Sequence, residues 1–195
     1  MLSGFTANPM EYAEASKVSL FSIGDYNCNM PAYDADASWE AAIKYLMPNN
    51  SEAFRFFCEN NVDLGSTVHG LRRTNESPEF VKAKQLYDSK IAAGDKIAAY
   101  AAVGEQFTKL VTTAEALMTA DESKALIEEI KPWLLCAKYL GQRGECIVEM
   151  ANALANEEPE TFIDSYLRYK ECNDAQAALR SRDYSGSLKT ATPAV

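Results

Sequence analysis

Histidine is almost missing from this chain: His69 is the only one, which rules out metal sites built on two or more imidazoles. Cysteine is present but unpatterned. The five thiols, Cys28, Cys58, Cys136, Cys146 and Cys172, form an odd number without C-x-x-C spacing. Neither a disulfide framework nor a zinc ribbon is legible, and buried small hydrophobes are the expected role. Positive charge is thin as well. Nineteen basic against twenty-eight acidic residues leave a net charge of −9, and the densest basic cluster is the pair Arg72-Arg73. No stripe exists to neutralise a run of phosphates, which argues against nucleic acid and anionic membrane as partners. No apolar run approaches the roughly 20 residues that cross a bilayer, and the start Met1-Leu2-Ser3-Gly4-Phe5 lacks the regions of a signal peptide. Phosphate-cradling glycine loops, the G-x-S-x-G elbow and the H-E-x-x-H helix are absent too, so no motif asks for a cofactor or a metal.

What is there is helical periodicity. At 195 residues with 47% hydrophobic content, the chain can bury a core without disulfide staples. Residues 1–7 have the small and apolar character of a short extended segment. Asn8-Pro9-Met10-Glu11 then reads as a helix start, with a capping side chain, proline at the first helical position and Glu three residues after the cap. The helix it opens is expected to run to about Asp25. Its apolar residues Tyr12, Val18, Leu20, Phe21 and Ile23 lie around most of the circumference, so it needs cover on more than one side.

Asp36 is the expected cap of a second helix carrying Trp39, Ala42, Ile43 and Leu46 and stopped by Pro48. Asn50 or Ser51 opens a short helix with Phe54, Phe57 and Cys58, and Asn61 to Ser77 reads as a long ordered loop. Ser77-Pro78 starts the next helix and Gly94 ends it. Asp95 opens a helix of about six turns, where Ala101 and Gly104 predict close approach to a neighbour. Asp121 is the expected cap of a further helix, in which Pro132 predicts a break or sharp kink. Asn156-Glu-Glu-Pro159 begins the last helix, bearing Phe162, Ile163, Tyr166 and Leu167 and fading near Arg182. Residues 183–195 have linker composition. The expected fold class is therefore all-α: a multi-helix bundle of seven or eight helices with a short N-terminal extended segment.

Candidate chemistry is sparse. The carboxylate pairs Glu128-Glu129, Glu157-Glu158 and Asp34/Asp36 fall near helix starts or on helix faces, where solvation or dipole capping is their ordinary role. Asn8 reads first as a cap worth ~1 kcal/mol. The segment His69-Gly70-Leu71-Arg72-Arg73 has two readings, an anion or sugar contact at a cleft edge or a structural loop fastened to helix ends.

Several strings in one order, Ser3-Gly-Phe-Thr-Ala-Asn-Pro-Met-Glu-Tyr-Ala-Glu-Ala-Ser-Lys17, Asp25-Tyr-Asn-Cys-Asn29, Ser38-Trp-Glu-Ala-Ala-Ile-Lys-Tyr-Leu46, Asn60-Asn-Val-Asp-Leu-Gly65 and His69 to Arg73, resemble family 84 glycoside hydrolases. These are the hyaluronidase-like β-N-acetylglucosaminidases and the O-GlcNAcases. The resemblance is dense over residues 2 to about 76 and continues by pattern, including Lys131-Pro-Trp133. It implies that residues 1–29 are the last strand and helix of a (β/α)8 catalytic barrel, 30–182 a helical post-catalytic domain and 183–195 a linker to a following module.

Barrel active sites lie at the C-terminal ends of strands, and the resemblance makes Asn8 a substrate-binding residue. The family's chemistry is substrate-assisted: the 2-acetamido oxygen attacks the anomeric carbon while two adjacent aspartates act on the acetamide and the leaving group. Those aspartates belong to an earlier strand, so no catalytic residue is expected here. The resemblance further implies an N-acetylglucosamine-containing glycoconjugate as the partner of the parent enzyme, and a bacterial parent that is secreted or held at the cell surface. If the barrel is missing, self-association through the N-terminal apolar segment, with Val18, Leu20, Phe21 and Ile23, or its docking back on the bundle is also expected. One departure is Cys28, at or near which family members commonly carry Trp. The competing expectation is a free-standing helical module that binds a protein partner.

Overall fold

Helix-stop and helix-start chemistry divides the chain at closely spaced points. The computed structural model describes residues 12–61 and 77–181. Among them are seven α-helices and no strand: α1 (Lys17–Cys28), α2 (Ala35–Leu46), α3 (Ser51–Glu59), α4 (Pro78–Ala92), α5 (Lys96–Thr119), α6 (Lys124–Ala155) and α7 (Pro159–Ser181), with a 3-10 turn over Met30–Ala32 between α1 and α2. The all-α class holds. The extended segment 1–7, the Asn8-Pro9 start, most of the loop between Asn61 and Ser77 and the tail 183–195 lie outside the described residues.

Several boundaries sit where local chemistry puts them. Asp95 accepts the N–H of Ala98 at 3.1 Å and caps α5. Gly94 precedes it with φ +79°, a left-handed backbone that glycine adopts without a Cβ clash. Pro78 stands at the start of α4 and Pro159 opens α7, where a missing N–H costs no helical bond.

Other expectations are corrected. The cap of α2 is Asp34, whose carboxylate accepts the N–H of Ala37 at 2.8 Å, while Asp36 lies within the first turn. Asp121 does not cap α6. The chain enters that helix through Ser123, left-handed at φ 44°, whose hydroxyl donates to the Leu46 carbonyl instead of to the helix; Asp121 pairs with Lys124 at 2.7 Å. Nor does Pro132 break the chain. α6 is continuous through it over its 32 residues, and Pro132 is buried. Tertiary packing there outweighs the lost hydrogen bond.

The core forms where α2, α3, α5 and α6 meet. Ile43, Met47, Phe54, Phe57, Leu117, Leu126 and Leu134 are among its buried side chains. α6 packs along α5 on one side and α7 on the other, and α4 covers the first part of α5. The close α5–α6 approach is real, but the small residues responsible are different. A Cβ on Gly104 would meet Val148 at an ordinary 3.5 Å, and Ala101 is exposed. On α6, a Cβ at Gly141 would stand 2.7 Å from the Phe107 carbonyl oxygen, and one at Gly144 would stand 2.1 Å from the Phe107 ring.

α7 turns a polar face inward. Ser165 and Gln176 are 0% and 3% exposed, whereas Phe162, Ile163, Tyr166 and Leu167 are 38% to 55% exposed.

α1 is the outlier. It has no buried residue, and its apolar side chains divide between partial cover and solvent. Val18 packs against the core, and Phe21 meets Tyr45 at 5.9 Å between ring centroids. Ile23 and Tyr26 remain 37% and 43% exposed.

Candidate functional site

The four residues singled out from sequence, Asn8, His69, Arg72 and Arg73, lie outside the described residues. The carboxylate pairs can be followed, and the structure does not assemble them for acid-base work. Glu128 faces solvent and pairs with Lys131 at 3.0 Å. Glu157 holds φ 58° in the turn before α7, and Glu158 is exposed beside it. Asp34 is occupied as a helix cap. Among the described residues no group of three or more His, Cys, Asp or Glu side chains could hold a metal.

Glu129 behaves differently. Its two oxygens accept the backbone N–H groups of Glu14 at 3.1 Å and Ala15 at 2.7 Å. These amides lie in the turn that leads into α1, where N–H groups have no partner within the helix. The same turn is closed by Ser16, whose hydroxyl and N–H donate to the Tyr12 carbonyl at 2.6 Å and 2.9 Å. One helical turn beyond Glu129, Trp133 meets the Tyr12 ring edge-on, centroids 4.9 Å apart at 85°. Tyr12, Ala15, Phe57, Ile130 and Trp133 together wall an apolar cleft of about 160 Å³.

Next to this junction, α1, α2, α3 and α6 enclose a larger cleft of about 850 Å³. Its floor is apolar, with Val18, Phe54 and Leu126, and its rim carries Asp36, Glu40, Arg55 and Glu59. Arg55 donates to Glu59 at 3.0 Å and to Glu40 at 2.8 Å while lying 5.6 Å from the Trp39 ring centroid. The Glu59 hydrogen bond, joined by the Glu40, Glu59 and Asp36 charges, raises its pKa against the opposing effect of burial. This guanidinium is already neutralised. Cys58, on the same wall, is no nucleophile, because burial pushes its thiol up to about 12 with Glu59 adding to the effect.

A second tether joins the α2–α3 turn to the α5–α6 turn. The Glu122 carboxylate accepts the Asn49 N–H and side-chain amide, both at 3.0 Å, and the Asn50 side-chain amide at 2.8 Å. Burial works to raise its pKa, but these hydrogen bonds and the Asn50 N–H bring it below the usual carboxylate value. Sequence reasoning named Glu129 only as half of a solvated or dipole-capping pair and missed Glu122, since nothing local separates them from the exposed carboxylates around them. Trp133 carried a signal only through the Lys131-Pro-Trp string.

Two family models match the chain in order. The model described as beta-N-acetylglucosaminidase matches residues 1–59, and the bacterial GH84 post-catalytic domain matches residues 76–192. Among solved structures, that of CpGH84B is similar with a TM-score of 0.70 at 26% identity, over 91% of this chain and 30% of the other. CpGH84D gives 0.70 at 26% identity over 89% and 29%. A mutant of the Thermobaculum terrenum O-GlcNAc hydrolase shares the fold, with a TM-score of 0.66 at 22% identity over 90% and 37%. The chain thus spans about a third of the length of these structures. Residues 76–192, which carry α4 to α7, match the post-catalytic domain, and the chain belongs to the bacterial GH84 family.

Proposed function

We propose that this chain is the C-terminal, non-catalytic region of a β-N-acetylglucosaminidase, supporting the catalytic barrel and edging its substrate cleft. The observation that carries the reading is the order of the two matches, a β-N-acetylglucosaminidase segment running into a post-catalytic domain. Residues 1–29 are the last strand and helix of the barrel, 30–182 the helical domain and 183–195 a linker. A boundary near residue 29 is supported by packing. α1 buries no residue, whereas α2 and α3 contribute Ile43, Leu46, Phe54, Phe56 and Phe57 to the core.

Asn8 hydrogen-bonds a hydroxyl of an N-acetylglucosamine-containing glycoconjugate, and His69, Arg72 and Arg73 edge that cleft or fasten its loop. A binding residue alone moves no protons, and acetamide polarisation and leaving-group protonation each need a positioned carboxyl group from the barrel. The isolated chain should therefore leave an aryl β-N-acetylglucosaminide at the buffer rate. Reproducible turnover, abolished by replacing a carboxylate of this chain, would overturn the proposal. In the enzyme joined to its barrel, Asn8→Ala should lower kcat/KM by the equivalent of one hydrogen bond in a closed site, ~1–3 kcal/mol. Unchanged kinetics would return Asn8 to helix capping.

Without the barrel, the exposed Ile23 and Tyr26 of α1 form an apolar strip through which two copies associate. Sedimentation equilibrium giving a monomer at all concentrations would remove that part. The DNA upstream of Met1 separates this reading from a free-standing interaction module: a frame that continues into a barrel with an Asp-Asp pair favours the enzyme.

A further inference from the structure

α7 is inverted relative to an ordinary surface helix, which turns its apolar stripe inward. Its buried residues Ser165 and Gln176 are tied to Glu149 and Arg143 of α6, so the fold does not use its large apolar side chains. Phe162, Ile163, Tyr166 and Leu167 are left 38% to 55% exposed. Glu160, Ile163, Leu167 and Lys170 follow one another in the three- and four-residue steps of a coiled-coil seam. Glu160 and Lys170 are exposed, and neither has an ion pair among the described residues. Helical spacing places Phe162 and Tyr166 to one side of that seam and Asp164 and Glu171 to the other. The turn before α1, within the β-N-acetylglucosaminidase match, meets α6 at Glu129, whereas Ser165 meets it at Glu149. Residues 129 and 149 are ~30 Å apart along a helix axis, so the segment matched to the enzyme stands at the other end of α6 from this face.

We propose that the outer face of α7 binds the same face of a second copy of this chain, the two helices running antiparallel about a two-fold axis level with residue 165. That register sets Ile163 against Leu167 of the second copy and Glu160 against its Lys170, and the symmetry makes each contact twice. A parallel pair would oppose Glu160 to Glu160 and Lys170 to Lys170, so charge selects the antiparallel form. Asp164 is the unfavourable neighbour, within a turn of its own counterpart. Closest approach on the Phe162 and Tyr166 side keeps it in water, where its repulsion is screened. Two such stripes with their flanks amount to about 1,000 Å², the low end for specific interfaces. Association is therefore reversible, with Kd on the order of micromolar. The surface is separate from the Ile23 and Tyr26 strip of α1 and does not depend on the glycosidase reading.

Sedimentation equilibrium on the chain carrying Ile23→Ser and Tyr26→Ser, which removes the α1 strip, isolates this contact. A monomer–dimer equilibrium is expected, and a monomer at every concentration up to about 1 mM overturns the proposal. In that background Leu167→Glu should raise Kd more than tenfold, with helix content by circular dichroism unchanged because the site is exposed. Charge reversal reads the register without removing apolar surface. Glu160→Lys or Lys170→Glu alone should raise Kd about three- to tenfold, and the two together should bring it back to within about twofold, since the pairs are then restored with signs exchanged. A dimer indifferent to Leu167→Glu, or a doubly reversed chain as weak as the single variants, overturns the proposal. Should Ile23→Ser with Tyr26→Ser leave the association of the chain unaltered, the α1 contact falls and the α7 contact stands.

Discussion

α6 is one helix with two unlike seams. Along α5 it is packed through missing atoms: Gly141 and Gly144 let the Phe107 backbone and ring come into the space that side chains would fill, and Leu110, Val111, Ala114 and Leu117 are buried on the facing side. Along α7 it is packed through polar groups. Arg143 donates to Gln176 at 2.8 Å and to the Tyr169 hydroxyl at 2.9 Å with its guanidinium 5.0 Å from the Tyr169 ring centroid. Glu149 accepts from Ser165 at 2.8 Å and from Arg168. The first seam takes its stability from apolar area and close contact, the second from hydrogen bonds whose net value is modest, with the buried Arg143 Nε left without a partner. A helix held by a polar seam can leave apolar residues on its outer face, which is what α7 does with Phe162, Ile163, Tyr166 and Leu167.

The contrast is broken most severely at the glycines. Gly141→Ala places a methyl against a carbonyl oxygen that cannot rotate away, so the helices must separate. A loss of about 1–3 kcal/mol is expected in denaturant unfolding, despite the better helix propensity of alanine. Gly104→Ala is the control, since its Cβ meets Val148 at ordinary distance. It should gain about 0.5–1 kcal/mol. Equal effects at the two sites would remove the account of the α5 seam.

The α7 seam should respond to removal of one partner more than of both. Arg143→Leu leaves Gln176, almost fully buried, without its donor and should cost about 1–2 kcal/mol. Arg143→Leu with Gln176→Leu should recover part of that, read as a positive coupling in a double-mutant cycle. Simple additivity would mean that the seam is apolar in effect.

A smaller effect separates neutral from anionic tethers. Gln176 and Tyr169 accept from Arg143 as neutral groups, whereas Glu122 holds Asn49 and Asn50 as a carboxylate. Because its folded pKa lies below the ordinary 4.5, its contribution is fully present above that value and is lost as pH falls through the folded pKa. Wild type should thus lose stability below about pH 4.5 more steeply than Glu122→Gln, by the slope of unfolding free energy against pH. Parallel slopes would show that the tether is not the ionised form.

The glycine result also shows where local reading stopped. Gly104 and Ala101 were legible as small residues on a helix face, yet Gly141 and Gly144 make the approach, because smallness says nothing about which face meets which neighbour. The boundary residues at Gly94-Asp95, Ser77-Pro78 and Pro159 were legible for the opposite reason. Capping and φ preference are settled within a few residues, and those positions matched.

The sequence by itself determined that the described chain is helical, where most of its helices stop, and, through ordered motifs, the family to which it belongs. The tertiary structure alone decided that α6 runs unbroken through Pro132, that α7 turns its polar face inward, and that Glu129 serves the start of α1. Each of these outcomes depends on a partner tens of residues away. Burial at Pro132, the hydrogen bonds of Arg143 and Glu149 along α7 and the acceptor for the Glu14 and Ala15 amides exist only once the helices are side by side.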